Sequence, residues 1–193
     1  MEKLTTLGLS ADRVIIQVII PGMLFNLPYA VLFLEKYPET KQFFIINPTI
    51  MLTAYSVSSL ITGMLIENFG SLIEARFYDR INDREFKNYN DIWNKFLLLV
   101  YEGNEPIGHR YLRNIVLRMK FELSIGIALI FLSLGFVILD FHINLVHSKL
   151  TKLILFYLIP ISISIYLLVF EAYNSSKVLA RTREMLVKKY YKY

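Results

Sequence analysis

Four apolar runs constrain this chain more than anything else in it: residues 14–34, 47–66, 123–139 and 150–170, with almost no charge inside them. About 20 helical residues, at 1.5 Å each, cross a hydrocarbon core roughly 30 Å thick. Lipid offers backbone N–H and C=O groups no partner, so runs of this kind must close their hydrogen bonds within a helix. The reading is all-α: a polytopic membrane protein with four transmembrane helices and a helical cytoplasmic module between helices 2 and 3. It divides into a first hairpin (14–66), a charged module (67–121), a second hairpin (122–170) and a basic tail (171–193). Residues Met1 to Asp12 lack the layout of a secretory signal. Their basic region is thin, with Lys3 and Arg13, and no small-residue cleavage site follows. The first span is therefore expected in the mature protein.

Each span carries its own punctuation. The first contains Pro21-Gly22 and Pro28, with Gln17 and Asn26 among apolar neighbours. Proline removes a backbone donor and predicts a kink. Such a helix either lines and gates a pore or packs through an Asn26 hydrogen bond to a neighbour. A polar link, Glu35 to Lys41, is expected to turn at Pro38. Asn47 is placed to cap the second span and Pro48 to open it. Ser56, Ser59 and Gly63 fall near one face, and Ser59 and Gly63 have small-xxx-small spacing, which fits close packing within the bundle or between subunits. The third span offers Ser124, Ala128, Ser133 and Gly135. The fourth is centred on Pro160, a second expected kink.

The module alternates sign along Glu74, Arg76, Asp79, Arg80, Asp83, Arg84, Glu85 and Lys87, so the second helix is predicted to continue through Leu72, Ile73, Phe77 and Ile81 as a solvated, ion-paired helix. A break is expected at Asn88–Asn90, then a short helix from Ile92 to Tyr101, capped by Asp91 and carrying Trp93. Glu102 to Pro106 reads as a turn. From Ile107 to Lys120 the pattern is a basic amphipathic helix. Arg110, Arg113, Asn114, Arg118 and Lys120 lie on one side; Tyr111, Leu112, Ile115, Val116 and Met119 lie on the other. That helix anchors on a membrane or packs in the bundle, or else Arg110, Arg113, Arg118 and Lys120, with Trp93, meet a phosphate-bearing ligand or a protein partner. Glu67, Glu122 and Glu171 each mark the same end of a span, with Arg118 and Lys120 as neighbours. Such a rim locks the bundle, forms a cation-attracting vestibule in an oligomer, or receives a partner.

Charge sets the expected orientation. Both termini and the module hold 17 of the lysines and arginines; the two short links hold four, Lys36, Lys41, Lys149 and Lys152. Basic residues stay in the cytoplasm, which places both termini there. The module has nine basic and eight acidic residues, so direct nucleic-acid binding is not expected. The chain has no cysteine. Phosphate-loop, dinucleotide, zinc-protease and serine-hydrolase motifs are absent. His109 is the one cytosolic histidine base, beside Arg110, and Glu67 and Glu74 form no acid/base pair with a histidine. Asp140, His142 and His147 lack metal-ligand spacing and read as ordinary link residues. No enzyme activity, cofactor or metal is expected. Spans without mid-membrane charge or repeat symmetry disfavour a transporter acting alone. Two readings remain ahead of a channel or transporter subunit. One is a non-enzymatic membrane subunit relaying an envelope change to a cytosolic partner. The other is an oligomeric pore-forming effector.

In plan, with four spans and a cytosolic module between the second and third, the chain resembles the small membrane subunits of bacterial anti-phage defence systems, the Kiwa membrane subunit among them. Four-span effectors of CRISPR and cyclic-nucleotide defence are similar in outline. The resemblance covers topology and not motif; Pro106-Ile107-Gly108-His109-Arg110 carries over no signature. It implies a self-associating inner-membrane protein that works with a soluble DNA- or nucleotide-responsive partner.

Overall fold

The structure is a computed structural model and describes residues 15–86, 89–97, 107–143 and 148–191, the side chains of 16, 90, 97, 107–110, 190 and 191 excepted. Every described element is helical. Helix α1 covers residues 15–36, α2 Pro38–Ile46, α3 Pro48–Glu85, α4 Tyr89–Leu97, α5 Ile107–Ile143, and α6 residues 149–191. Of these, α1, α3, α5 and α6 are long and apolar enough to cross a membrane.

The packing is inverted relative to a water-soluble bundle. Leu52 is 63% exposed and Ser59 is wholly buried on the same helix. Gln17, Asn26, Ser133 and Ser164 are likewise buried, and Val57, Ile61, Leu65, Leu155 and Ile165 point outward. A surface this apolar is what lipid solvates and water does not.

Glycine decides where helices touch. A Cβ on Gly22 of α1 would lie 1.8 Å from the Ser59 carbonyl oxygen, and one on Gly63 of α3 would lie 2.0 Å from that of Val18. The small-residue face of the second span thus packs within the bundle, against α1. Gly135 meets Pro28, and Gly126 meets Leu168. Helix α5 sits centrally and packs against α1, α3 and α6.

Prolines leave carbonyls free, and neighbours fill them. Pro160 cannot donate to the carbonyl four residues back, that of Phe156, and there Ser133 of α5 donates its hydroxyl. Ser164 returns a bond to the Gly126 carbonyl at 2.7 Å. Wider π-type turns precede Pro21 and Pro160, and α1 runs on through Pro28.

Several local expectations need correction. Pro38 does not make a turn but opens α2, because proline's fixed φ and missing donor suit a first helical position. Asn47 makes no side-chain cap and donates Nδ2 to the Phe43 carbonyl at 3.1 Å. Tyr111, assigned to the apolar side, is 52% exposed. Helix α4 begins at Tyr89, so Asp91 lies inside its first turn and pairs with Lys95 at 2.9 Å. Asp140 and His142 belong to α5 and not to the link; Asp140 pairs with Lys152 at 2.8 Å. The tail is not a loose basic segment: Ala172–Tyr191 is helical and packs on α5 and α4. The expected Glu102–Pro106 turn and His147 lie outside the described residues.

Candidate functional site

Where the apolar surface gives way to charge, a collar of ion pairs ties α5 to α6 on one side and to α3 on the other. Arg118 and Glu122 are one turn apart on α5, so their side chains share a face. Glu171 and Ser175 are one turn apart on α6 and face them. Arg118 Nε donates to Glu122 Oε1 at 2.6 Å, and its Nη2 donates to Glu171 Oε2 at 2.5 Å. Ser175 donates to the second Glu122 oxygen at 2.9 Å, and Tyr166 donates to the second Glu171 oxygen at 2.5 Å. On the α3 side, Lys120 lies 3.6 Å from Glu67. Glu122 is 5% exposed and both its oxygens accept, one from Arg118 and one from Ser175. Arg118 keeps the outer part of its side chain exposed. The collar therefore contains all three carboxylates, Glu67, Glu122 and Glu171, with Arg118 and Lys120 between them.

Beyond the collar the same helices pack in the opposite sense, with an apolar interior. Tyr78, Leu112, Ile115, Met119, Leu123, Ala172 and Leu179 form one cluster. Tyr78 donates its hydroxyl to the Leu168 carbonyl at 2.5 Å. Buried Asn82 of α3 donates to Ser176 of α6 at 2.8 Å. Glu85 accepts from Tyr173 at 2.9 Å and pairs with Lys177 at 2.7 Å. Helix α4 is held from above: the Arg183 guanidinium lies 3.8 Å from the centre of the Trp93 ring, which stacks with Phe96. Tyr89 donates to Asp79 at 3.2 Å. Burial, and then the Asp79 carboxylate, raise the Tyr89 phenol above its usual range, with Arg183 opposing.

This arrangement separates residues that the pattern had grouped. Arg118 and Lys120 belong to the collar and Trp93 to the α4–α6 contact, so the three do not form a single outward face. Arg113 is exposed; the Arg110 side chain lies outside the described residues. Pro21, Pro28 and Pro160 are all buried at helix contacts. Unanticipated were Arg183, Asn82, Ser175 and the Tyr173–Glu85–Lys177 cluster. A spacing of three and four in Ala172, Ser175, Ser176, Leu179, Ala180 and Val187, all buried, is the signal that marks the tail as a packed helix.

Chemically, the collar holds paired charges where α3, α5 and α6 lie together. Among the described residues no group of three metal-binding side chains occurs. Comparison with protein families, curated proteins and solved structures finds no match for this chain.

Proposed function

We propose that the chain is a non-enzymatic relay subunit of the bacterial inner membrane, acting as a homo-oligomer with both termini and the polar end in the cytosol. It converts a change in the bilayer or envelope into a displacement read by a cytosolic partner. One observation carries this reading: α3, α5 and α6 pass through the collar without a break. Helix α5 alone has 37 residues, a length of about 55 Å. A tilt imposed on its apolar half reaches the polar half directly. Anti-phage defence is the setting that the resemblance in plan supplies.

The alternative is an oligomeric pore. A pore needs polar side chains turned toward a shared axis, whereas Gln17, Asn26, Ser59, Ser133 and Ser164 are buried within one chain. The relay reading is the better supported.

The chain has no cysteine, so labels can be introduced cleanly. Spin labels at exposed Arg84 and Lys188 report the separation of α3 and α6 in the polar half. In the relay reading, reconstitution into bilayers of short and long acyl chains changes that separation. An unchanged distance, or collapse of the membrane potential on overproduction, would count against it. Reporters at both termini and at Asn90 test the orientation.

A further inference from the structure

Helices α3 and α6 border an open groove of about 520 Å³, lined by Ile73, Phe77 and Ile81 of α3 and by Leu168, Val169 and Tyr173 of α6, among others. The groove lies at the depth of the collar. Tyr78 donates to the Leu168 carbonyl, and its ring centre lies 6.1 Å from that of Tyr173. Those two contacts bracket Glu171, so the collar's level on α6 matches that of Phe77 and Tyr78 on α3. Toward the spans the surface stays apolar: Phe69, Leu72, Val169 and Phe170 are all exposed. One end of the groove therefore opens onto hydrocarbon and the other onto the headgroup layer.

Arg76, Arg80 and Arg84 follow one another at four-residue spacing along this stretch of α3, and all are exposed. Arg80 and Arg84 stand one turn after Phe77 and Ile81, which places them along the groove's edge. Helical side chains lean toward the N-terminus of their own helix, which for these arginines is the direction of the lipid. None of the three pairs with a carboxylate among the described residues. The acids around them have other partners. Asp79 accepts from Tyr89, Glu85 from Tyr173 and Lys177, and Glu67 faces Lys120; Asp83 is engaged as well. Uncompensated positive charge thus borders an apolar slot at headgroup depth. Its complement is an anion that carries its own hydrocarbon.

We infer that this groove seats an anionic phospholipid of the adjoining leaflet. Its phosphate meets Arg80 and Arg84, and Arg76 adds positive charge one turn nearer the spans. One acyl chain runs along Phe77, Ile73 and Val169 toward the hydrocarbon. A zwitterionic lipid brings its own cation to the same place and gains less from the arginines. The site requires neither a protein partner nor a movement, so its outcome is separate from that of the relay reading.

The test reads lipid contact by fluorescence, because bromine on an acyl chain quenches an indole that it touches. Phe77→Trp puts a reporter on the groove wall, and the unaltered chain supplies the background from Trp93, its one tryptophan. The full chain is reconstituted in phosphatidylcholine vesicles. A fixed fraction is replaced by phosphatidylglycerol or phosphatidylcholine brominated close to the glycerol. Phosphatidylglycerol is expected to occupy the groove about tenfold better than phosphatidylcholine. Adding Arg80→Gln and Arg84→Gln should bring the two lipids to parity, with quenching by phosphatidylcholine retained as the sign that the groove still forms. Lys188→Gln with Lys189→Gln removes the same charge from the last turn of α6 and should leave the preference in place. Leu52→Trp, exposed at the opposite end of α3, should show no preference. Equal quenching by the two lipids at the Phe77 position would overturn the proposal. So would a preference that survives loss of both arginines, that the two lysine changes erase equally, or that recurs at the Leu52 position.

Discussion

The two halves of the molecule solve opposite packing problems with the same helices. In the apolar half, polar side chains turn inward and donate to backbone carbonyls, as Ser133, Ser164, Tyr29 and Tyr55 do. In the polar half, apolar side chains turn inward and charges face out or pair across the surface. Helix α5 carries both patterns and changes from one to the other at Arg118–Glu122. On α5 the buried residues are apolar on one side of the collar, Leu112, Ile115 and Met119, and mixed on the other, Ser124, Ile127, Ala128, Ser133 and Leu139. Contacts in the apolar half depend on shape and on hydroxyl-to-carbonyl bonds, because lipid supplies no hydrophobic drive between helices. Contacts in the polar half depend on the usual burial of apolar area.

This contrast can be broken at graded cost. Gly63→Leu drives a side chain into the Val18 backbone of α1. It should cost more than about 4 kcal/mol and yield no folded protein by size-exclusion chromatography in detergent; a monodisperse particle with an unchanged melting point would refute the shape-based account. At the boundary, Arg118→Met leaves buried Glu122 without its cation. A loss of about 2–3 kcal/mol is expected in thermal unfolding, and the double variant with Glu122→Gln should recover most of it. If the double variant is no better than the single, the collar is not a coupled unit.

In the polar half, Trp93→Ala removes the surface under Arg183. A loss of about 2 kcal/mol, seen as faster hydrogen exchange confined to Tyr89–Leu97, would locate the damage there. Ser133→Ala deprives the Phe156 carbonyl of its donor and should cost only about 0.5–1 kcal/mol, the usual worth of such a bond in lipid. The smallest effect is on pH dependence. The folded Tyr89 phenol titrates above its unfolded value. Its contribution is therefore complete below pH 10 and is lost as pH rises through the folded value. Tyr89→Phe should flatten the fall in melting temperature above pH 10 relative to the unaltered protein, and identical slopes would rule this out.

The spans and collar charges were legible because they rest on long apolar runs and on matching positions at span ends. Helix α2 was hidden because Pro38 signals a turn and a helix start equally well. The Trp93–Arg183 stack was hidden because the two residues are 90 positions apart and share no local pattern. A subtler case is the α5–α6 seam. Leu112, Met119, Gly126, Ser133 and Asp140 recur every seventh residue. Leu112 and Met119 join the cluster with Ala172 and Leu179, Gly126 meets Leu168 and Ser164, Ser133 meets Phe156, and Asp140 meets Lys152. Their spacing is that of a coiled coil, yet the residue types drift from apolar to small to charged with the surrounding medium. A search for repeated leucines passes over them.

That seam has a mechanical consequence. Its rungs engage different chemistry at each level, so sliding α6 along α5 by a fraction of a turn unseats every rung together. Gradual creep between these two helices is forbidden by their gearing. Because the rungs stand about 10.5 Å apart and each carries different chemistry, no shifted register reseats them, and the two helices travel as one piece.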